Sequence, residues 1–212
     1  GLPRIYETHV PSVRSAVRQM RALAERIGPQ RVLWRYDPIL ISRDSDFDFH
    51  RSRFEALAGD LQGATRQCSV SFVQIYGKVR RNFTKRGLPL PDPGEMERRE
   101  LTAGLAEIGA RHGIAVKACC SDELLGNGVE KARCVDREQV LGVWPDLTFE
   151  AAAVPTREEC GCSRSFDIGA YDTCLHGCIY CYATRDRETA QARHQRHQPG
   201  CATLLPVADP SR

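Results

Sequence analysis

The chain has 212 residues, of which 42% are hydrophobic and 27% charged, a composition typical of a globular protein that buries a sizeable core. Its formal net charge of +3 is too small to predict nucleic-acid binding by itself. No signal peptide and no apolar run of about 18 residues is visible, so we expect no membrane association and a cytoplasmic location.

The first part of the chain alternates between predicted strands and helices. Arg4–His9 has a weak strand pattern. Apolar residues at helical spacing predict a helix that has Pro11 in its first turn and stops at Gly28-Pro29. Val32–Arg35 is predicted to be a short buried strand, and Asp37-Pro38 is predicted to end it.

The alternation continues through the middle of the chain. A helix is predicted to start near Ser45 or Asp46, and Ser69–Ile75 is the clearest strand. Asp92–Glu95 resembles a capping box that opens a third helix. Ile114–Lys117 is the next predicted strand.

This order of elements predicts parallel strands joined by crossover helices. The strand starts near residues 32, 69 and 114 have a spacing close to a barrel's βα repeat of about 30 residues plus insertions. We therefore predict an α/β fold, a partial (β/α) barrel-like parallel sheet over residues 1–150. A cysteine-rich metal-binding segment is predicted at 151–184, and a polar helix and tail at 185–212.

The ten cysteines carry the strongest functional signal. Cytosolic thiols stay reduced, so clustered cysteines there favour metal ligands or catalytic groups over disulfides. Cys174, Cys178 and Cys181 form a C-x3-C-x2-C motif, in which Gly177 allows a tight loop. Soft thiolates favour iron–sulfur clusters or zinc, and three thiolates leave one iron of a 4Fe–4S cluster open to another ligand.

Other cysteines leave the ligand set open. Cys160 and Cys162 can join two loop cysteines in a closed, structural zinc site. Cys120 is a candidate fourth cluster ligand or redox thiol, although a buried small side chain explains it equally well. Cys68 and Cys134 are predicted to lie in the core.

The C-x3-C-x2-C spacing, with the aromatic Tyr180 directly before the third cysteine, resembles the cluster motif of radical S-adenosylmethionine (SAM) enzymes. The resemblance implies a 4Fe–4S cluster whose open iron binds SAM, an electron donor, and a substrate that is either a small molecule or a macromolecule. Gly169 and Tyr180 are the candidate SAM-binding residues. In that superfamily the motif follows the first barrel strand, whereas here it follows the predicted strands.

Several longer stretches carry a second resemblance. They are Trp34–Ile39, Tyr76-Gly77-Lys78, Cys120-Ser121, Cys160-Gly161-Cys162, Asp167–Tyr171 and Tyr180–Ala183. Together they resemble a family of uncharacterised bacterial proteins, a domain of unknown function with a radical-SAM-like cysteine cluster at its C-terminus. That family has a Ser-Arg-Arg-Thr-Asp stretch near its start, which is missing here, so we expect an N-terminal truncation. The resemblance implies a cofactor but no substrate.

Two polar features outside the cysteine motif are also candidate functional residues. Arg35 and Asp37 lie at the end of a predicted strand, where barrel enzymes place catalytic side chains. An Arg–Asp ion pair that fixes the loop explains them equally well. Lys78–Arg86 is predicted to be a loop with five basic residues and no acidic one. Such a run suits binding of phosphate, nucleic acid or an acidic cofactor, but a solvated loop explains it more often.

The sequence therefore predicts a 4Fe–4S protein that acts as a radical-SAM-like enzyme on an unknown substrate. One alternative is a non-catalytic module in which zinc or a closed cluster staples the C-terminal segment. Another is a nucleic-acid-associated protein that uses the basic loop. A three-cysteine site with an open iron indicates catalysis, whereas a closed four-ligand site indicates structure or electron transfer.

Overall fold

The structure is a computed structural model that describes residues 1–148, 158–166 and 168–205. The chain divides into two compact units, each assembled from segments that are separate in the sequence. The sheet unit comprises Pro11–Val73 and Pro91–Ser165, and the cysteine-loop unit comprises Gly1–Val10, Gln74–Leu90 and Phe166–Arg212. The linear three-part division stays a prediction. The structure does not describe residues 149–157 and 206–212 of that division. It also does not describe Asp167, the first residue of the Asp167–Tyr171 stretch that carries part of the family resemblance.

A parallel sheet forms the centre of the sheet unit. Its four strands are β1 (Trp34–Ile39), β2 (Gln67–Phe72), β3 (Ala115–Ala118) and β4 (Glu130–Lys131). They are hydrogen-bonded in chain order, and each neighbouring pair is parallel. The predicted α/β class with a parallel sheet is therefore confirmed.

Two strand predictions were wrong, and one strand was missed. Arg4–His9 forms turns with one isolated bridge at Glu7, because the carbonyl of Pro3 accepts the amides of Tyr6 and Glu7 at 2.9 and 3.2 Å. Strand β1 continues through Asp37-Pro38, which has a cis peptide bond. Proline is tolerated there because β1 is an edge strand. The two-residue β4 was missed.

Six helices are present in the part of the chain that the structure describes. They are α1 (Val13–Ile27), α2 (Phe47–Leu61), α3 (Gly77–Lys85), α4 (Glu95–Arg111), α5 (Arg137–Val143) and α6 (Arg187–Arg196). None of them is both long and apolar enough to cross a membrane.

The helix starts follow from local capping. Asp46 caps α2 as predicted, since its carboxylate accepts the amide of Phe49 at 2.8 Å. Helix α1 starts after Ser12, so Pro11 lies outside its first turn. The N-cap of α4 is Gly94, two residues after the predicted cap at Asp92, because the Glu97 carboxylate accepts the amide of Gly94 at 2.8 Å.

Most of the basic segment predicted to be a loop forms helix α3. Val79 and Phe83 lie one turn apart and are both 0% exposed, so they give the helix an apolar face. The loop prediction was wrong because five basic residues surround this apolar pair, and two apolar residues alone are too short a pattern to indicate a helix.

The core of the sheet unit contains the apolar faces of α2, α4 and the strands. Phe54 and Leu101 are fully buried, and the rings of Phe54 and Trp34 stack with centroids 4.7 Å apart. Cys68 is buried, as predicted, but Cys134 is exposed. The prediction for Cys134 was wrong because β4 is so short that the chain has already left the sheet at this residue.

Gly109 sets the closest approach of α4 to the sheet. A Cβ there would lie 2.5 Å from the backbone oxygen of Ile114 and 3.0 Å from Cγ2 of Val116. We expect Gly109→Ala to lower the free energy of unfolding by about 1–3 kcal/mol, because backbone atoms must move to make room. Urea denaturation followed by circular dichroism measures the change.

Gly104 is the matched control on the same helix. A Cβ there would meet only Nε of Arg51, at 3.6 Å, so Gly104→Ala should raise the free energy of unfolding by about 0.5–1 kcal/mol through better helix propensity. If both variants change stability equally, Gly109 has no special packing role.

Candidate metal centre

The loop Cys174–Cys181 turns at Gly177. The φ of Gly177 is +68°, a left-handed conformation that favours glycine and permits the tight turn predicted from the motif. Just before it, the carbonyl of His176 accepts the amide of His9 at 2.9 Å. The N-terminal segment of the unit therefore fixes one side of the loop.

Ile179 fixes the other side of the loop. Its side chain is 1% exposed, and its amide donates to the carbonyl of Tyr6 at 2.9 Å. Its own carbonyl accepts a hydrogen bond from Nδ2 of Asn82 on α3 at 2.8 Å. The ring of Tyr6 in turn stacks on Phe83 of α3, with centroids 6.4 Å apart. Side-chain packing and backbone hydrogen bonds thus hold the loop against α3.

A buried carboxylate completes the support. Glu7 is 9% exposed and pairs with Cys178 in an isolated antiparallel bridge. Its Oε1 accepts the hydroxyl of Tyr180 at 2.5 Å, and its Oε2 accepts the amide of Leu2 at 2.9 Å. Burial, together with this hydrogen bond to Glu7, raises the pKa of Tyr180 well above its usual value, so the phenol stays protonated and acts as the donor.

All three loop cysteines line one pocket of about 490 Å³, a volume typical of small-molecule sites. Its other described lining residues are mainly polar and come from the N-terminal segment, α3 and the start of α6. A larger groove of about 750 Å³ along α1 contains no cysteine or histidine among its described residues. Side-chain chemistry, not size, therefore selects the cysteine pocket as the candidate site.

The three thiols influence each other within this pocket. Burial raises the pKa of Cys178 to about 11; a hydrogen bond with Tyr180 opposes the shift, whereas Glu7, Cys181 and Cys174 add to it. A thiol in this environment keeps its proton until a cation replaces it. Over residues 1–148, 158–166 and 168–205, no three His, Cys, Asp or Glu side chains are arranged to hold a single metal ion.

The other cysteines predicted as ligands belong to the sheet unit. There Sγ of Cys119 donates to Sγ of Cys120 at 4.0 Å, and the amide of Cys134 donates to Sγ of Cys162 at 3.1 Å. A hydrogen bond between the side chains of Cys134 and Cys119 links these two pairs, and Cys160 lies two residues before Cys162. We call these five residues the second cysteine group. Sequence reasoning missed it as a group because its members come from three separate segments.

Arg35 and Asp37 form an ion pair on β1. Nη2 of Arg35 lies 2.6 Å from Oδ2 of Asp37, and Nε lies 3.3 and 3.2 Å from the two carboxylate oxygens. Hydrogen bonding to Asp37 raises the pKa of Arg35 above its already high value. Nη1 of Arg35 also donates to Sγ of Cys134 at 3.0 Å. The predicted alternative, a structural ion pair, is therefore present, and a catalytic role stays a prediction.

The two candidate SAM-binding residues do not line the cysteine pocket. The Tyr180 hydroxyl is bound to Glu7, and neither Tyr180 nor Gly169 is among the described residues around the pocket. Their role toward SAM stays a prediction. Sequence reasoning also missed that Lys78 and Lys85 line the pocket; their spacing of seven residues was the available signal, since it places both on one helix face.

Comparison with known families identifies a match to the family described as Domain of unknown function (DUF1848), over residues 1–183. The chain belongs to this family. The DUF1848 match includes all three loop cysteines and confirms the predicted resemblance to an uncharacterised family. No curated protein and no solved structure matches the chain. The description of this family names no activity.

The bond between Tyr180 and Glu7 gives a stability prediction. We expect Tyr180→Phe to lower the free energy of unfolding by about 1–3 kcal/mol, because it leaves one buried oxygen of Glu7 without its donor. Chemical denaturation measures the change. Tyr182→Phe is the control, since Tyr182 is 64% exposed and makes ring contacts. A loss for Tyr180→Phe no larger than that for Tyr182→Phe would show that the bond contributes nothing.

Proposed function

We propose that this DUF1848 protein is an iron–sulfur protein and a radical-SAM-like enzyme. In this proposal Cys174, Cys178 and Cys181 bind three irons of a 4Fe–4S cluster, and the fourth iron is open to SAM. The observation that carries the proposal is that three cysteines of one anchored loop line a single pocket. No fourth cysteine is found among the described residues that line it.

The spacing of the cysteines in the sequence favours a cluster over zinc. A tetrahedral zinc site holds its sulfurs about 2.3 Å from the metal, so that they lie within about 4 Å of one another. The described residues form no such compact group. A cubane cluster bridges more widely separated cysteines, because each sulfur binds a different iron. Three cysteines spaced C-x3-C-x2-C therefore suit a cluster better, as in the superfamily that this motif resembles.

The proposed chemistry divides between cofactor and protein. When bound, the cluster supplies one-electron chemistry at SAM, as in the superfamily that the motif resembles. The protein supplies three thiolates, and Asn82 and the Tyr6 carbonyl hold the loop that carries them. Such a protein needs an electron donor and a reducing compartment, for which we propose the cytoplasm.

We also propose that the sheet is a segment of a (β/α) barrel. Its strands are parallel and follow each other in chain order, as adjacent barrel strands do. Arg35 and Asp37 on β1 keep a proposed catalytic role in that setting.

Anaerobic purification followed by iron and sulfide analysis tests the cluster. We expect about four irons and four sulfides per chain, with a broad absorbance that dithionite bleaches. Cys178→Ala should remove the cluster, whereas Cys201→Ala should keep it, because Cys201 is exposed and does not line the pocket. Colourless protein with stoichiometric zinc and no sulfide would establish the zinc alternative instead.

SAM binding is tested separately on protein with a measured cluster. We expect SAM to change the EPR spectrum of the reduced cluster and 5′-deoxyadenosine to appear as a product. An intact cluster that shows neither effect would mean that a protein ligand closes the fourth iron, which is the electron-transfer or structural alternative.

A further inference from the structure

One face of helix α3 lines the cysteine pocket. Lys78, Asn82 and Lys85 are spaced four and three residues apart, so they form one stripe on the helix, and all three line the pocket. The buried residues Val79 and Phe83 lie on a different stripe and fix the rotation of the helix. The lysines therefore face the same pocket as the thiols because of how α3 packs.

The pocket has an excess of positive charge. Five basic residues and two acidic ones are among its described lining residues: Lys78, Lys85, Arg86, Arg185, Arg187, Asp186 and Glu188. Asp186 is already engaged, because it accepts the amide of Thr189 at 2.7 Å and pairs with Arg185 at 3.0 Å. Glu188 is then the one remaining acidic residue among them.

The amines of the two lysines are available to a ligand. Arg86 donates to the carbonyl of Ile5 at 2.8 Å, and Arg187 donates to the carbonyl of Leu175 at 3.4 Å. Among the described residues, neither the side-chain amine of Lys78 nor that of Lys85 has a hydrogen-bond or ion-pair partner. Lys78 is half-buried, so its charge is partly removed from water and gains more from a bound anion than a fully exposed lysine does.

We infer that this pocket binds an anionic small molecule that carries a phosphate or carboxylate group, and that Lys78 and Lys85 determine this specificity. The identification of that molecule as the substrate rests on the proposed function. The pocket volume of about 490 Å³ suits a small molecule. A nucleic acid would track an extended basic surface and would engage Arg80 and Arg81, which are exposed and outside the pocket.

Titration calorimetry on the full chain at low salt tests the inference, with inorganic pyrophosphate and citrate as probes. We expect binding of at least one probe, and the two arms separate phosphate from carboxylate recognition.

The double variant Lys78→Gln/Lys85→Gln should weaken that binding at least tenfold, because two charge-assisted hydrogen bonds are lost. Arg80→Gln/Arg81→Gln, which removes the same charge from the same helix, should change it less than about twofold. Lys78→Arg/Lys85→Arg should retain binding, which separates loss of charge from loss of folding.

Three results would overturn the inference: no binding of either probe, an equal loss in both glutamine variants, or displacement of the probes by a single-stranded oligonucleotide whose binding depends on Arg80 and Arg81. Iron and sulfide are measured on the same preparations. Lysine-dependent anion binding by a chain that assembles no cluster would overturn the proposed function and leave the anion pocket standing. A full cluster without lysine-dependent anion binding would overturn the inference of an anion pocket and leave the proposed function intact.

Discussion

The anchoring of Ile179 is the constraint on which the candidate site depends. The stretch from Cys174 to Cys181 contains one fully buried residue, so it has one main hydrophobic reason to fold back onto its unit. Ile179 supplies that reason with a side chain that is 1% exposed, while Tyr6 and Asn82 bind its amide and carbonyl. These bonds satisfy backbone groups that would otherwise be buried without partners. The thiols face the basic stripe of α3 as a consequence of this one docked residue.

How much of the fold is visible in the sequence depends on how local each signal is. Helices α1, α2 and α4 were found because their apolar residues repeat over three or more turns. The parallel sheet followed from the alternation of elements. Strand β4 has two residues and no period to detect, and α3 shows only the pair Val79 and Phe83. The Arg4–His9 segment has a strand-like pattern, but Pro3 closes a turn there instead.

The same distinction applies to the candidate site. The three loop cysteines were found because their spacing is local and specific. The sequence did not predict that Lys78 and Lys85 line the same pocket as those cysteines. This placement depends on how α3 packs against Tyr6 and on the contact between Asn82 and Ile179. The second cysteine group was missed for a similar reason: its members meet only after β3 and β4 have paired. Local motifs therefore identified the ligands, and tertiary packing was needed to show their surroundings.

The second cysteine group has hydrogen-bonding partners inside the sheet unit. Within its own unit, the thiol of Cys162 accepts the amide of Cys134, and the thiol of Cys134 is hydrogen-bonded by Arg35. These hydrogen bonds connect the segment after β4 to Cys162 and to β1, which gives both thiols a structural role in the sheet unit.

The basic stripe on α3 also affects how the loop holds thiolates. Three deprotonated cysteines within eight residues repel one another, and burial makes the repulsion stronger because less water screens it. Lys78 and Lys85 bring positive charge into the same pocket, which offsets that repulsion. The proposed anion binding is compatible with this effect, because lysine side chains are long and flexible, whereas the backbone of the loop is held at Ile179. The proposed anion site and the proposed metal centre therefore share one cationic wall of the pocket.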